Sequence, residues 1–272
     1  MFSRNSEKGF SVALINSEFT SNGLSRRVGN PYLSSTQITS RESSRQSLPK
    51  FVPPDIPNRP ASFSLASKCP FVYNQDGLDS CTSCVACMAL IILNLVPWHP
   101  SRMFLYYQER ALQGKPTSDS GASEADALNA LMSSGVCSES LWPYLPENCN
   151  VQPPSSCSVQ ASSHKIKNVG VFDLSDPNLI ENVKRTLASG IPVMFGFKVY
   201  SNFENASDGN IGMPSGQYLG GHEILIIGYG IDTFTCINSW GSSWGNGGFC
   251  TIPVAYLTIS AFVYSLACIS PN

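Results

Sequence analysis

A long apolar run, Val85–Val96, with Asn94 as its one polar residue, is the clearest hydrophobic pattern in the chain, and Pro97 stops it. A polar turn precedes this run, which puts Asp79 or Ser80 in the position of an N-cap. Because the run is apolar on every side of a helix, the helix that it predicts is expected to be buried.

Two further helices are expected before residue 136. The second begins at Pro100–Ser101, and the third extends from Ser123 to Gly135, where Asp126 has the spacing of a capping box. The apolar residues expected to face the core are Phe104, Leu105, Tyr107 and Leu112 on the second helix, and Leu128, Leu131 and Met132 on the third.

The second half of the chain contains segments rich in β-branched and aromatic residues, which are typical of strands. One amphipathic helix interrupts them, with Asp176 as its N-cap, Pro177 in its first turn and Gly190 after its end. The predicted strands are Lys165–Phe172, Pro192–Tyr200, Glu223–Tyr229, Phe234–Asn238 and Phe249–Ile252.

Helices followed by strands indicate an α+β fold with two segregated lobes. Pro153–Pro154 and several serines interrupt the pattern between residues 145 and 163, and the lobe boundary is expected there. The predicted organisation is an N-terminal extension at residues 1–50, a helical lobe at residues 51–160 and a β-rich lobe at residues 161–272.

Composition and charge exclude several classes of protein. Of the 272 residues, 42% are hydrophobic and 13% are charged, and the net charge is −2. This charge argues against a nucleic-acid-binding protein, and no apolar stretch approaches the roughly 18 residues of a membrane span. The charge is uneven, because residues 1–50 hold 7 basic and 3 acidic residues (+4) and the remainder holds 10 and 16 (−6).

The first fifty residues contain no clear secretory signal, since their apolar segment Phe10–Ile15 is short and interrupted by a serine. A cytoplasmic or particle-packaged protein is therefore expected rather than a secreted one. In a reducing compartment the 10 cysteines need not form disulfides, although the sequence is compatible with one disulfide among Cys137, Cys149 and Cys157.

Cys81 is the candidate nucleophile. It lies at the predicted start of the buried helix, where N–H groups and the helix dipole stabilise a thiolate. Cys84 and Cys87 lie one and two turns deeper and are expected to be inert. The spacing of the three cysteines also fits the start of an iron–sulfur motif, but Ile91 occupies the position of the fourth ligand. No metal site and no cofactor are therefore expected.

His222 is the candidate base, because it stands at the start of an apolar strand directly after two glycines. His99 lies between the end of one predicted helix and the start of the next, where a capping or surface role is more common, and His164 lies in a polar stretch and is expected to be solvated. Catalysis by a cysteine and a histidine also needs a group that orients the imidazole and a donor for the oxyanion. Asn238 and Gln75 are polar residues that fit these two roles.

These residues lie in segments that resemble the papain-like cysteine peptidases, in the family's order of Gln, Cys, His and Asn. The three segments are Asn74–Thr82, Gly221–Gly230 and Asn238–Phe249. Three supporting segments, which resemble the microbial and viral branch of the family, are Ser101–Tyr107, Asp119–Ser123 and Gly135–Tyr144. The resemblance covers roughly residues 56–255.

The resemblance implies a two-lobe fold, with a helical lobe, an antiparallel β-barrel-like lobe and an active-site cleft between them. It implies that a Cys81 thiolate paired with imidazolium His222 attacks a peptide carbonyl and forms a thioester acyl-enzyme. Asn238 would orient the imidazole, and Trp240 would shield that hydrogen bond from water. Gln75 would complete the oxyanion hole. The residues that the resemblance places along bound substrate are Gly121, Ala122, Gly196, Gly221 and Trp240.

Several positions depart from the family pattern. Thr82 replaces the tryptophan that usually follows the nucleophile, and Leu78 replaces a cysteine that normally forms a disulfide. Asp76 and Asp79 replace glycines, and a charge on Asp79 close to the nucleophile would oppose thiolate formation. Glu223 replaces a small apolar residue in an otherwise apolar strand and therefore needs a partner.

We therefore expect a monomeric papain-like cysteine endopeptidase that acts on peptides or proteins. The alternatives are a catalytically silent protein that binds peptides in its cleft, and a related acyltransferase or amidase, which would favour aspartate at position 238. The family's long helical prosegment is not recognisable in residues 1–50. This positive extension is expected either to cross the cleft of the negatively charged remainder and inhibit it, or to be a tail without function.

Overall fold

In a computed structural model of the protein, residues 48–271 are described, and they form a sheet with helices packed on both of its faces. The helices are α1 (Cys81–Ile92), α2 (Arg102–Leu112), α3 (Glu124–Ser133), α4 (Ser155–Ser162), α5 (Leu179–Ala188) and α6 (Ser201–Glu204). The strands are β1 (Phe63–Ser64), β2 (Val169–Val171), β3 (Val193–Tyr200), β4 (Tyr218–Tyr229), β5 (Thr233–Ile237), β6 (Phe249–Pro253) and β7 (Val263–Ile269). The predicted α+β class is confirmed.

The strands pair antiparallel in the order β2-β7-β3-β4-β5-β6, and the short β1 pairs with β4. Strand β4 is the longest of them, with 12 residues. Strand β5 pairs with β4 from Leu225 to Tyr229, so that His222 lies on the part of β4 before this pairing begins. The start of β4 therefore pairs with β3 on one edge and has no partner strand on the other edge.

Strand β4 contributes to two hydrophobic cores, because successive side chains on a strand point to opposite faces. Leu225 and Ile227 belong to the core that contains most of α1. Ile224 and Ile226 belong to the second core, which contains the apolar face of α5. The sheet thus lies between α1 and α5 and holds α1 with its first residue beside the start of β4.

Helix α1 begins as predicted but ends four residues before the end of the apolar run, at Ile92. Ser80, not Asp79, is the N-cap. Asn94 has a φ of 51°, in the left-handed region, and the N–H of Leu95 donates to the carbonyl of Leu90. This local arrangement closes the helix, and the remaining apolar residues belong to the connection that follows.

The starts of the next two helices are confirmed. Ser101 Oγ accepts a hydrogen bond from the N–H of Phe104, and Ser123 and Asp126 form the complete capping box. The predicted inner faces are partly wrong. Leu112 is 52% exposed, Met132 is 37% exposed and Tyr107 is half-buried. On α2, Met103 and Tyr106 are buried in place of Tyr107 and Leu112.

Helix α5 begins two residues later than predicted, because its N-cap is Asn178 and not Asp176. Asp176 Oδ1 accepts a hydrogen bond from the Asn178 N–H, which makes a turn before the helix rather than its cap. Gly190 has a φ of 88° after the helix end, as predicted. Strand β2 is confined to Val169–Val171, and the elements that the pattern did not predict are α4, α6, β1 and β7.

The described chain begins with residues packed against the sheet. Leu48 is buried, and the N–H of Val171 donates to the carbonyl of Pro49 while its carbonyl accepts from Phe51. The expectations for residues 1–47 lie outside the described part of the chain. All ten cysteines are free thiols. The possible disulfide among Cys137, Cys149 and Cys157 is therefore absent from the described residues. Within the described residues, no helix has the length and apolarity to span a membrane.

Candidate active site

Cys81 is the first residue of α1 and is half-buried. The N-cap residue, Ser80, makes no side-chain cap, because its hydroxyl is hydrogen-bonded to the phenol of Tyr144 instead. The first turn of α1 also contains no acidic side chain. The positive end of the helix dipole therefore acts on Cys81 without a side-chain cap from the helix itself.

Asn238 fixes the tautomer of His222. Asn238 Oδ1 lies 2.8 Å from His222 Nε2 and accepts a second hydrogen bond, of 2.8 Å, from the N–H of Ser239. An N–H can donate only to the amide oxygen, so the bond from Ser239 defines which amide atom faces the ring. His222 Nε2 must then carry the proton. In the neutral ring, Nδ1 is left as the acceptor.

Aromatic rings enclose this hydrogen bond. The Trp240 indole stacks on the His222 imidazole with their centroids 4.7 Å apart, and the rings of Phe197 and Phe203 contact the imidazole edge-on. His222 is 4% exposed, and Trp240 is equally buried. Water is thereby excluded from the His222–Asn238 bond. Trp240 lies behind the imidazole rather than on an open surface.

The start of α1 meets β4 at the residue after His222. The backbone amide of Glu223 lies close enough to the Cys81 thiol to lower the pKa of that thiol, which puts the sulfur beside this strand. His222 Nδ1 is buried and has no hydrogen-bond partner among the described residues. Among the described residues, therefore, no hydrogen bond joins Cys81 to His222, and both residues adjoin Glu223 on opposite sides, one in space and one in sequence.

Burial has opposite effects on the two titratable groups. Burial raises the pKa of the Cys81 thiol well above its usual range, and the nearby carboxylates of Glu223 and Asp79 raise that pKa further. Burial lowers the pKa of His222 to about 4, which the hydrogen bond with Asn238 partly opposes. Each pKa shift reflects the free-energy cost of forming one of the two charges without the other. Transfer of the thiol proton to the imidazole forms both charges together, so that their attraction offsets part of that cost.

Gln75 is held in place by a serine that the sequence did not single out. Ser239 Oγ donates to Gln75 Oε1 over 2.6 Å, and the backbone N–H of Gln75 donates to the Ser239 carbonyl. Gln75 Nε2 donates one hydrogen to the carbonyl of Leu78, at 2.8 Å. An amide nitrogen has two hydrogens, so a second N–H of Gln75 is left for another acceptor.

A buried arginine braces the loop between Gln75 and Cys81. The Arg102 guanidinium lies between the rings of Tyr73 and Tyr144, 4.2 and 3.8 Å from their centroids, and donates to the carbonyl of Asn74. The phenol of Tyr144 donates to the carbonyl of Gln75. These long-range contacts have no signal in the local sequence pattern.

Thr82, the residue after the nucleophile, is paired with a buried acid. Thr82 Oγ1 donates to Glu109 Oε2 at 2.6 Å, and Glu109 is fully buried. Burial raises the pKa of the Glu109 carboxyl well above its ordinary value of 4.5. The protonated carboxyl is the form favoured there. The position that is tryptophan in most of the family is thus part of a polar pair in this protein.

The residues expected along the substrate have different surroundings. Gly121 has a φ of 67°, and a Cβ added there would lie 3.6 Å from the Cβ of Asp79. A Cβ at Gly196 would overlap the hydroxyl of Ser265, whereas one at Gly221 would meet the ring of Tyr264. Ala122 is half-buried beside Gly121.

The two aspartates that replace glycines have separate roles in the loop. Asp76 is exposed with a φ of 50°, and its carboxylate and N–H both bond to the side chain of Asn74. The N–H of Asp79 donates to Asp119 Oδ1. Asp79 thus lies between Cys81 and Gly121, where its negative charge acts on the thiol.

The other histidines lie outside the candidate site. His99 Nε2 is 2.6 Å from the Tyr73 hydroxyl, and burial lowers the pKa of His99 to about 4. His164 Nδ1 is 2.9 Å from the carbonyl of Gln160. Within residues 48–271 there is no group of three or more His, Cys, Asp or Glu side chains that could hold a metal ion.

The sequence is similar to known cysteine proteases. The family model described as papain family cysteine protease matches residues 60–257. An uncharacterized peptidase C1-like protein of Acanthamoeba polyphaga mimivirus is 35% identical over 169 residues, which cover 58% of this chain and 54% of the viral protein. The chain therefore spans about half the length of this curated relative.

The fold is similar to solved structures of cysteine proteases. Xylellain, a cysteine protease from Xylella fastidiosa, superposes with a TM-score of 0.73 at 25% identity, over 90% of this chain and 95% of that chain. Digestive procathepsin L 3 of the Tenebrio molitor larval midgut gives a TM-score of 0.66 at 17% identity, over 89% of this chain and 83% of that chain. The second likeness concerns the fold alone.

Proposed function

The chain belongs to the papain family of cysteine proteases, and we propose that it is an active endopeptidase in which Cys81 is the nucleophile and His222 the general acid and base. The expected papain-like fold is confirmed by the solved structures that it matches. The observation that carries the proposal is the pair of hydrogen bonds at Asn238 Oδ1, because they leave His222 Nδ1 as an acceptor.

Catalysis would begin with transfer of the Cys81 proton to His222 Nδ1. The thiolate at the start of α1 attacks the peptide carbonyl carbon, and the carbonyl oxygen becomes an oxyanion. The N–H of Cys81 and the second N–H of Gln75 would donate to this oxyanion. Imidazolium His222 then protonates the leaving amine, and a thioester to Cys81 remains.

The second half of the reaction reverses these roles. His222 Nδ1 accepts a proton from water, and the resulting hydroxide attacks the thioester carbonyl. The tetrahedral intermediate expels the Cys81 thiolate and releases the acid product. Asn238 would keep the imidazole in one orientation throughout both halves, while the Trp240 ring excludes water from their hydrogen bond.

The substrate would lie between the two proposed lobes, residues 51–160 and 161–272, as the family resemblance implies. One chain supplies the four proposed catalytic groups, so a monomer would suffice for the reaction. The free thiols fit a reducing compartment, which supports a cytoplasmic or particle-packaged enzyme.

Hydrolysis of casein and of fluorogenic peptides tests the endopeptidase directly. We expect cleavage by the parent protein, none by Cys81→Ala, and undiminished cleavage by Cys84→Ala, since Cys84 lies one turn deeper in the buried helix. A parent protein that cleaves no peptide, or a Cys81→Ala variant that still cleaves, would refute the proposal.

A catalytically silent peptide-binding protein is the second candidate, because Asp79 and Glu223 both raise the pKa of Cys81. Tight binding of peptides by both the parent protein and Cys81→Ala, without cleavage by either, would favour it. Cleavage by the parent protein alone would exclude it.

We also propose that part of the N-terminal extension inhibits the enzyme until it is removed. The +4 charge of residues 1–50 complements the −6 charge of the remainder. Because Leu48 is packed in the core, the matched deletion is residues 1–47. Faster peptide hydrolysis after this deletion supports inhibition, and equal rates would identify a tail without that function.

A further inference from the structure

Cys84 lies one turn behind Cys81 on the same face of α1. Cys81 is the first residue of the helix, and the N–H of Cys84 donates to the carbonyl of Ser80, which closes the first turn. Residues three apart on a helix are neighbours on its surface, with their Cα atoms about 5 Å apart. This separation lies within the roughly 4.4–6.8 Å that a disulfide requires.

Both thiols lie against the same strand. Cys81 lies beside the backbone amide of Glu223 on β4, and Cys84 lines a small cavity together with Leu225, two residues farther along that strand. Residues two apart on a strand project to the same face of the sheet. The side chains of Cys81 and Cys84 are therefore turned to the same side of α1.

The two thiols differ in their access to solvent. Cys81 is half-buried, whereas Cys84 is 1% exposed. A small oxidant from solvent therefore meets Cys81 first, while Cys84 can approach the Cys81 sulfur only from inside the protein. An accessible reactive cysteine next to a second cysteine is the arrangement of redox-active C-x-x-C sites.

A buried guanidinium stabilises negative charge on Cys84. Arg102 Nη1 donates to Cys84 Sγ over 3.9 Å. Burial raises the pKa of the Cys84 thiol, and the charge of Arg102 together with hydrogen bonds from the Arg102 and Ser80 side chains acts in the opposite direction. Because the thiolate is the attacking form of a cysteine, these contacts favour Cys84 as a nucleophile towards a neighbouring sulfur.

We propose that Cys84 is a resolving cysteine, which forms a disulfide with Cys81 after a peroxide has oxidised the nucleophile. The disulfide holds the enzyme in an inactive form that a dithiol restores. The proposal rests on the proposed peptidase function, in which His222 accepts the Cys81 proton. Transient disulfides of this kind belong to reducing compartments, which the free thiols fit.

The sulfur chemistry balances with one molecule of hydrogen peroxide. The Cys81 thiolate attacks one peroxide oxygen, so the O–O bond breaks, Cys81 becomes a sulfenic acid, and the released hydroxide takes the proton from His222 to form water. The Cys84 sulfur then attacks the Cys81 sulfur. An S–S bond forms, the S–O bond breaks, and hydroxide leaves with the Cys84 proton as a second water. A dithiol reverses the result by thiol–disulfide exchange and is itself oxidised.

Intact mass after treatment with hydrogen peroxide tests the disulfide. Relative to Cys81→Ala, which gives the baseline for the other thiols, the parent protein is expected to lose the two hydrogens of one disulfide. Cys84→Ser nearly keeps the size of the side chain and is expected to gain oxygen on Cys81 instead, up to the sulfinic acid. Cys84→Ala gives the same comparison if the serine variant does not fold.

Recovery of activity is the second readout. Peroxide should abolish peptide cleavage by the parent protein, and dithiothreitol should restore it. Restoration should fail in Cys84→Ser, because dithiothreitol does not reduce a sulfinic acid. The matched control is Cys87→Ser, which removes another buried thiol of α1 whose Cα lies about 10 Å from that of Cys81, and it should recover like the parent protein.

The mass measurement separates this proposal from the proposed function, since it needs no cleavage. If the parent protein cleaves no peptide, the peptidase proposal fails, and the masses of the parent protein and Cys84→Ser still decide whether the disulfide forms. A parent protein that cleaves peptides but shows no Cys81–Cys84 disulfide after peroxide overturns the resolving role alone. Equal recovery of the parent protein and Cys84→Ser overturns it as well.

Discussion

Ser239 Oγ donates a 2.6 Å hydrogen bond to Gln75 Oε1, between residues that are 164 positions apart in the chain. Ser239 also donates its backbone N–H to Asn238 Oδ1. One residue therefore orients both the amide that faces His222 and the amide proposed for the oxyanion hole. This serine couples the two halves of the site.

Replacement of Ser239 tests this coupling. In Ser239→Ala the Gln75 amide loses its anchor while the backbone bond to Asn238 stays, so kcat is expected to fall by about tenfold with KM little changed, because small misplacement of a positioning group is costly. Gln75→Ala should lose more, on the order of 10²-fold. Steady-state kinetics on one peptide measure both. An Ser239→Ala enzyme with the parent kcat would show that the anchor has no role.

Asn238 should matter through the basicity and the tautomer of His222. Asn238→Ala removes the hydrogen bond that opposes the low pKa of His222, so the imidazole becomes a weaker base and its Nε2 proton is no longer fixed. We expect kcat/KM to fall by roughly 10- to 100-fold, a part of what general acid–base catalysis supplies.

Asn238→Asp is the matched control, because it keeps an oxygen acceptor for Nε2 and should retain more activity than the alanine variant. The pH dependence of kcat/KM for the three proteins provides the comparison. Equal activity of Asn238→Ala and the parent protein would contradict the role given to Asn238.

Asp79 should reduce the reactivity of Cys81. Its carboxylate raises the pKa of the thiol, so Asp79→Asn, which removes the charge and keeps the shape, should lower that pKa. The rate of alkylation of Cys81 by iodoacetamide should then rise at lower pH than in the parent protein. Asp232→Asn removes an exposed charge elsewhere and should leave the pH profile of Cys81 alkylation unchanged. A profile of Asp79→Asn that moves to higher pH would contradict this account.

Glu109 should make stability depend on pH. Its pKa in the folded protein is raised above the ordinary value of 4.5, so the folded state holds a proton that the unfolded state has released once the pH exceeds 4.5. The contribution of Glu109 is then fully present below pH 4.5 and is lost as the pH rises towards the raised pKa, at about 1.4 kcal/mol per pH unit.

Glu109→Gln keeps an acceptor for Thr82 and does not titrate. Relative to this variant, the parent protein should become less stable between pH 5 and pH 8, as measured by urea unfolding at each pH. The exposed Glu147→Gln variant should follow the parent protein. A difference between parent and Glu109→Gln that is constant with pH would show that Glu109 is ionised in the folded state.

Local chemistry explains which elements the sequence predicted. The capping box of Ser123 and Asp126 and the cap at Ser101 involve residues three apart, so their spacing is visible in the sequence. The end of α1 was missed because it depends on the left-handed conformation of Asn94, which an apolar run does not reveal. Strand β7 was missed although it pairs on both edges, because Ser265 and Ala267 are not typical of strands and dilute its β-branched and aromatic pattern.

The same distinction between local and long-range features applies to the candidate site. Its four proposed catalytic residues stand in motifs whose order and residue types point to their chemistry, so the sequence alone nominated them. The bonds from Ser239 to Gln75 and from Thr82 to Glu109 join distant segments, and each partner is an ordinary polar residue in isolation. Such contacts are set by the packing of helices on the sheet and require the folded structure.

Covalent labelling of Cys81 tests the central claim most directly. The intact mass of the protein with residues 1–47 deleted is measured after treatment with an epoxysuccinyl inhibitor of thiol proteases, beside Cys81→Ala in the same deletion. An activated thiolate predicts one adduct per chain at neutral pH, absent from Cys81→Ala and slowed in Asn238→Ala. No adduct, or an adduct that persists in Cys81→Ala, would contradict the account.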